Sequence, residues 1–230
     1  MKNPFKKLSS FELVLWLCSV IIVIGSFLML PSGNCLSLTA SLIGVTALIF
    51  VAKGYVLGQI LTVAFSVFYG IISLHFRYYG EMITYLGMTA PIAIMSVVSW
   101  IRHPFEKSSE VEVSRMTKNQ IIVMFLLSIM VTAAFFFILK FLDNANLFFS
   151  TISVTTSFLA SYMSFMRSPY YAVGYAANDI VLIILWVMAA ITDVSYLPMV
   201  MCFVMFFVND LYGFFNWRRM QKRQEKRRAV

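Results

Sequence analysis

Long apolar runs separated by short polar breaks organise this chain. The runs cover 11–30, 35–51, 55–75, 81–101, 119–139, 145–165, 171–191 and 196–216. A helix needs about 20 apolar residues to cross the hydrocarbon core of a bilayer. The runs therefore predict eight membrane-spanning α-helices and no sheet. The breaks carry turn chemistry: Pro31-Ser32-Gly33-Asn34, Lys53-Gly54, Arg77-Tyr78-Tyr79-Gly80, Asp143-Asn144, Arg167-Ser168-Pro169 and Thr192-Asp193. The first run ends in Leu28-Met29-Leu30-Pro31. A cleaved signal has a shorter apolar core and ends in small residues, so this run reads as a retained helix.

The pattern repeats. An offset of 117 residues, without gaps, places Thr39 on Thr156, Leu42 on Leu159, Val56 on Val173, Tyr79 on Tyr196 and Met82 on Met199. The same offset places Trp100 on Trp217 and Arg102 on Arg219, and Tyr69 meets Trp186. Helices 2–4 then correspond to helices 6–8. Corresponding helices are an even number of spans apart, so the two triplets point the same way. The expected fold is an all-α integral membrane protein with a parallel 3+1+3 repeat. Helix 5 is the inverting linker and helix 1 an addition. The predicted units are 1–34 (tail and extra helix), 35–101 (first triplet), 102–144 (loop and linker), 145–217 (second triplet) and 218–230 (basic tail). Parallel repeats about an axis along the membrane normal are a transporter architecture.

Composition agrees with the pattern. The chain has 230 residues, 60% hydrophobic and 12% charged, whereas a soluble domain is about 25% charged. The net charge of +8 sorts by loop. With both termini in the cytoplasm, 16 of the 18 Lys and Arg fall inside and only Arg77 and Lys140 outside. That asymmetry is the positive-inside pattern. It turns the basic residues, the tail at 218–228 included, into topology anchors near anionic lipid rather than a nucleic-acid surface. Cys18, Cys35 and Cys202 sit in or at the edge of apolar runs, and His75 and His103 are far apart. They indicate no metal site.

Polar residues inside the spans supply the candidate chemistry, because such groups are costly in lipid and face the bundle interior. Span 3 carries Tyr55, Gln59, Thr62, Ser66, Tyr69 and Ser73 at steps of 4, 3, 4, 3 and 4, one helical face. Span 7 carries Tyr175, Asn178, Asp179 and Trp186; span 8 carries Asn209, Asp210 and Tyr212. Span 4 adds Tyr85, Thr89 and Ser99. The serine stripe of span 6 (Ser150, Ser153, Ser157, Ser161, Ser164) reads first as close helix packing. Trp100, Trp217, Tyr78 and Tyr79 at span ends read as aromatic belt. The amides and carboxyls suit hydroxyl groups, and the rings suit a flat or cationic one. With few cations in the spans, a phosphorylated solute is disfavoured.

Tyr196-Leu197-Pro198-Met199, the stretch Val208 to Arg219 (Val-Asn-Asp-Leu-Tyr-Gly-Phe-Phe-Asn-Trp-Arg-Arg), Asn178-Asp179-Ile180 with Leu185-Trp186, and Tyr79-Gly80-Glu81-Met82 through Trp100 resemble the nicotinamide riboside transporter (PnuC) family. The resemblance covers residues 35–219 and is strongest in the last two spans. It implies a SWEET-like arrangement and uptake of nicotinamide riboside, a precursor of NAD, across the cell membrane. It also implies facilitated diffusion with trapping by a cytoplasmic kinase, no cofactor, and a homo-oligomer. The substrate-binding residues expected on this reading are Gln59, Thr62, Tyr69, Tyr175, Asn178, Asp179, Trp186, Asn209, Asp210 and Tyr212. Rival readings are transport of thiamine or riboflavin and a vitamin-binding component of an ATP-driven uptake complex. An intramembrane enzyme is disfavoured: no His lies near either Asp in sequence, and no Gly-x-Ser-x-Gly or His-Glu-x-x-His occurs.

Overall fold

A computed structural model describes residues 4–29, 35–75, 79–106, 108–144 and 146–229. The expected breaks at Pro31 to Asn34 and at Arg77-Tyr78 lie outside the described residues. The chain forms α1 (Ser10–Met29), α2 (Cys35–Ala52), α3 (Val56–His75), α4 (Tyr79–Thr84), α5 (Ala90–Arg102), α6 (Lys118–Phe141), α7 (Leu147–Phe165), α8 (Tyr171–Thr192) and α9 (Leu197–Arg228). A π-helical turn, Tyr85–Thr89, joins α4 to α5. The Ala90 N–H reaches back five residues to the Tyr85 carbonyl there. Such single π turns hold one surplus residue and often mark functional sites.

Among the described residues, seven helical segments are long and apolar enough to cross a membrane, and the protein is a multi-pass membrane protein. They run from Ser10–Met29 to Val194–Arg228. α7 is a 19-residue helix outside that set. Its Ser and Thr residues dilute its apolar character, and most of them face the bundle. α6 is the opposite case. Its buried residues are Met124, Ser128 and Leu139, so nearly its whole apolar surface faces outward. The Thr117 side chain and Gln120 cap its start reciprocally.

α2, α3 and α4–α5 pack in sequence, as do α7, α8 and α9. Helices remote in sequence also meet: α9 lies on α2 and α5 lies on α7. The Trp100 indole N–H donates to the Ser164 carbonyl at 3.0 Å, and that of Trp217 to the Val51 carbonyl at 2.9 Å. The two rings lie 5.4 Å apart and are almost wholly buried. The belt reading of this pair is therefore corrected: Trp100 ties the end of α5 to α7, and Trp217 ties α9 to the end of α2. α1 packs on α2 and α9.

Two glycines permit close approaches. Gly54 turns the corner after α2 with φ +71°, and its carbonyl accepts from the Val111 N–H at 2.9 Å. A Cβ on Gly44 would lie 2.3 Å from the tip of the Phe206 ring, so the glycine makes room for that ring between α2 and α9.

The basic tail is not a separate segment. α9 continues to Arg228, and its last turns lie against the loop after α5. Gln224, almost fully buried, donates to the Val111 carbonyl at 3.0 Å and accepts from the Val113 N–H at 2.8 Å. Arg223, Arg227 and Arg228 pair with Glu110, Glu106 and Glu112. Arg167, at φ 57°, donates to the Glu112 carbonyl at 3.2 Å and to Ser99 Oγ at 2.8 Å. Burial pulls the Arg167 guanidinium below the usual arginine value, and the Glu112 charge offsets part of that. These pairs occupy tail charges expected to face lipid.

Candidate functional site

A cavity of about 70 Å³ lies among α2, α3, the π turn, α7, α8 and α9, on the seam where α2 and α3 meet α7, α8 and α9. That volume holds several water molecules. Gln59 and Thr62 of α3, Tyr175, Asn178 and Asp179 of α8, and Asp210 of α9 all line it. Six of the ten residues singled out in the sequence thus share one space.

Three of them are set by α7, whereas Thr62 bonds the Gly58 carbonyl of its own helix. Gln59 Nε2 donates to Ser164 Oγ at 2.9 Å. The Tyr175 hydroxyl meets Ser161 Oγ at 3.0 Å. Asn178 Oδ1 accepts from Ser153 Oγ at 3.0 Å and from Thr156 Oγ1 at 2.9 Å. The Asn178 oxygen is thus doubly satisfied, which directs the amide N–H groups away from Ser153 and Thr156. The serine stripe on α7 is therefore more than a packing face. It orients the polar groups of α3 and α8, and Ser157 itself lines the cavity.

The carboxyls of Asp179 and Asp210 contact each other, and both residues are almost fully buried. Asp179 Oδ2 has no hydrogen-bond partner in the protein. A buried polar atom left open in this way is costly unless something else satisfies it. Across the space Phe65, Tyr85, Phe203 and Phe206 form an aromatic wall. The Phe65 ring meets Tyr85 edge-on at 5.9 Å and Phe206 at 5.6 Å. No Lys, Arg or His lines the cavity among the described residues.

The other four candidates lie elsewhere. Tyr69 is one turn beyond Phe65, its ring tilted against Tyr85 at 4.5 Å, with its hydroxyl bonded to Glu81. Trp186 is one turn beyond Leu182 and packs on Tyr196 at 5.6 Å. Both belong to the apolar core above the cavity. Asn209 and Tyr212 face α1. Asn209 Nδ2 donates to Ser19 Oγ at 2.9 Å, and the Tyr212 hydroxyl donates to Glu12 Oε1 at 2.8 Å. The expectation that they share a site with Asp210 is corrected, because adjacent helix positions point about 100° apart.

Sequence reasoning passed over Glu12 altogether. Its carboxylate accepts from Lys53 Nζ at 2.6 Å and from the Ser9 N–H at 2.6 Å. Ser9 to Glu12 is a Ser-x-x-Glu capping box, and that signal was available. Lys53, read as a loop cation, is the partner that binds α1 to the end of α2.

With this geometry in place the relatives decide the family. Residues 34–219 match the model of the family described as nicotinamide mononucleotide transporter. The chain belongs to this family. It is a transporter family and not an enzyme family. The nicotinamide riboside transporter PnuC of Neisseria mucosa is 24% identical over 193 residues, 82% of this chain and 73% of that protein. The crystal structure of the vitamin B3 transporter PnuC superposes with a TM-score of 0.80 at 24% identity, covering 94% of each chain. The transporter fold is therefore shared along almost the whole length.

Proposed function

We propose that this protein carries nicotinamide riboside across the cell membrane by alternating access, with the seam cavity as the carrying site. The observation that bears most weight is the absence of any cation in a lining that offers an amide pair, a carboxyl pair and an aromatic wall. The family description names a mononucleotide and the curated relative a riboside. They differ by one phosphate. A buried phosphate requires Arg, Lys or a helix N-terminus, whereas a pyridinium cation and ribose hydroxyls match the groups present. The cation faces Asp179 and Asp210, the ring lies against Phe65 and Tyr85, and Gln59, Thr62 and Asn178 take the hydroxyls.

In this reading α7 is an eighth span, both termini are cytoplasmic, and α2–α5 and α7–α9 are the parallel triplets. The triplets rock about the cavity to open it to one side and then the other. A cytoplasmic kinase that phosphorylates the riboside keeps the flux inward. The reciprocal Trp100 and Trp217 contacts support two equivalent halves.

The test is uptake of labelled nicotinamide riboside by the purified protein in liposomes without nucleotide. Saturable riboside uptake with no mononucleotide uptake is expected. Preferred uptake of the mononucleotide, thiamine or riboflavin would overturn the substrate. Binding without flux would favour the component of an ATP-driven complex.

A further inference from the structure

A second, smaller cavity of about 30 Å³ lies at the bundle end away from the loop and tail contacts. Glu81, Thr84, Tyr85, Asn144, Ser150 and Leu182 are among its lining residues. Tyr85 and Leu182 line the central cavity as well. The two spaces are thus separated by little more than one ring and one leucine. Glu81 accepts from the Tyr69 hydroxyl and weakly from Ser73 Oγ at 3.5 Å. Among the described residues it has no ion-pair partner, and no Lys or Arg lines this cavity.

We infer that this outer cavity is an entry subsite for a cationic aromatic solute, with Glu81 attracting the charge and Tyr85 separating it from the central cavity. The inference rests on the transport reading above. A carboxylate in a low-dielectric recess attracts a cation far more strongly than one in water. Beside it, the Tyr69 and Tyr85 rings lie 4.5 Å apart, tilted by 52°, and tyrosine faces attract a cationic ring. The barrier has a means of moving. Tyr85 begins the π turn, whose surplus residue gives the backbone slack to swing the ring without breaking α4 from α5. The outer cavity also touches Ser153, which holds the Asn178 amide of the central one. A solute passing Tyr85 would therefore meet polar partners on both sides.

The experiment compares uptake of nicotinamide riboside, a cation, with its neutral dihydro form in proteoliposomes. Glu81→Gln should raise KM for the cation about tenfold and leave KM for the neutral form within about twofold. Glu81→Asp should restore most of the difference. Asn144→Asp, which adds a carboxylate to the same cavity, should lower KM for the cation about threefold and serves if Glu81→Gln does not fold. Equal effects on both substrates, or none on either, would overturn the subsite while leaving the transport reading intact. Failure of the wild-type protein to carry nicotinamide riboside would overturn that reading and the subsite with it.

Discussion

Asn209 and Asp210 are neighbours on α9 and belong to opposite kinds of polar cluster. Asn209 turns to α1, where its amide meets Ser19. One turn along, Tyr212 and Lys53 converge on Glu12, and charge is matched by charge. Asp210 turns inward to Asp179, Gln59 and Asn178, where no cation answers the carboxyls. A polar group buried with its complement holds helices together. One buried beside a cavity with open valences is poised for a guest. The difference between the clusters lies in whether each has its counter-charge, since Glu12 and Asn209 are as buried as Asp179 and Asp210.

Substitutions can break this contrast. The largest effect is expected for Glu12→Gln, which leaves Lys53 unpaired in a half-buried place. A loss of about 3 kcal/mol of stability is expected in thermal unfolding, with nicotinamide riboside affinity unchanged by calorimetry. A fall in affinity instead would merge the two clusters into one site. Asn178→Leu should act the other way round. Affinity should fall about 30-fold, equivalent to about 2 kcal/mol, while Thr156 keeps the Ile152 and Ser153 carbonyls and the stability loss stays at about 1 kcal/mol, that of one hydrogen bond.

Asn209→Ala sharpens the comparison because it sits one residue from the cavity lining. A stability loss of about 1 kcal/mol and no change in affinity are expected. The smallest effect is expected for Arg223→Ala in the exposed loop and tail contacts, under about 1 kcal/mol and reduced further by salt. A larger loss would show that these contacts carry more than surface pairing.

The apolar runs made the helices legible, and the seven candidate spans fall on seven of the eight predicted ones. The stripe on α3 was legible as a buried face because helical period is local. Where along that face the cavity lies was not legible. Tyr55 meets the loop, Gln59 and Thr62 reach the cavity, and Tyr69 lies near Glu81. Depth depends on how the neighbouring helices cross. Partners remote in sequence were equally hidden: Glu12 and Lys53 are 41 residues apart, and Gln224 and Val113 are 111 apart. α9 is covered on several sides, so periodicity could not say which of Asn209 and Asp210 faces the cavity. The repeat held one unused clue: the offset of 117 places Thr62 on Asp179, and both line the cavity.

α9 runs unbroken for 32 residues, about 48 Å at the rise of an α-helix. Asp210 and Arg228 are joined by about 27 Å of that rod. A tilt of about 10° at the carboxyl pair would therefore sweep the far end through about 5 Å. The helix is a lever, with its short arm in the membrane and its long arm in the loop contacts. If the proposed alternating access tilts α9, a fluorescent or spin label near Lys226 is expected to report that movement.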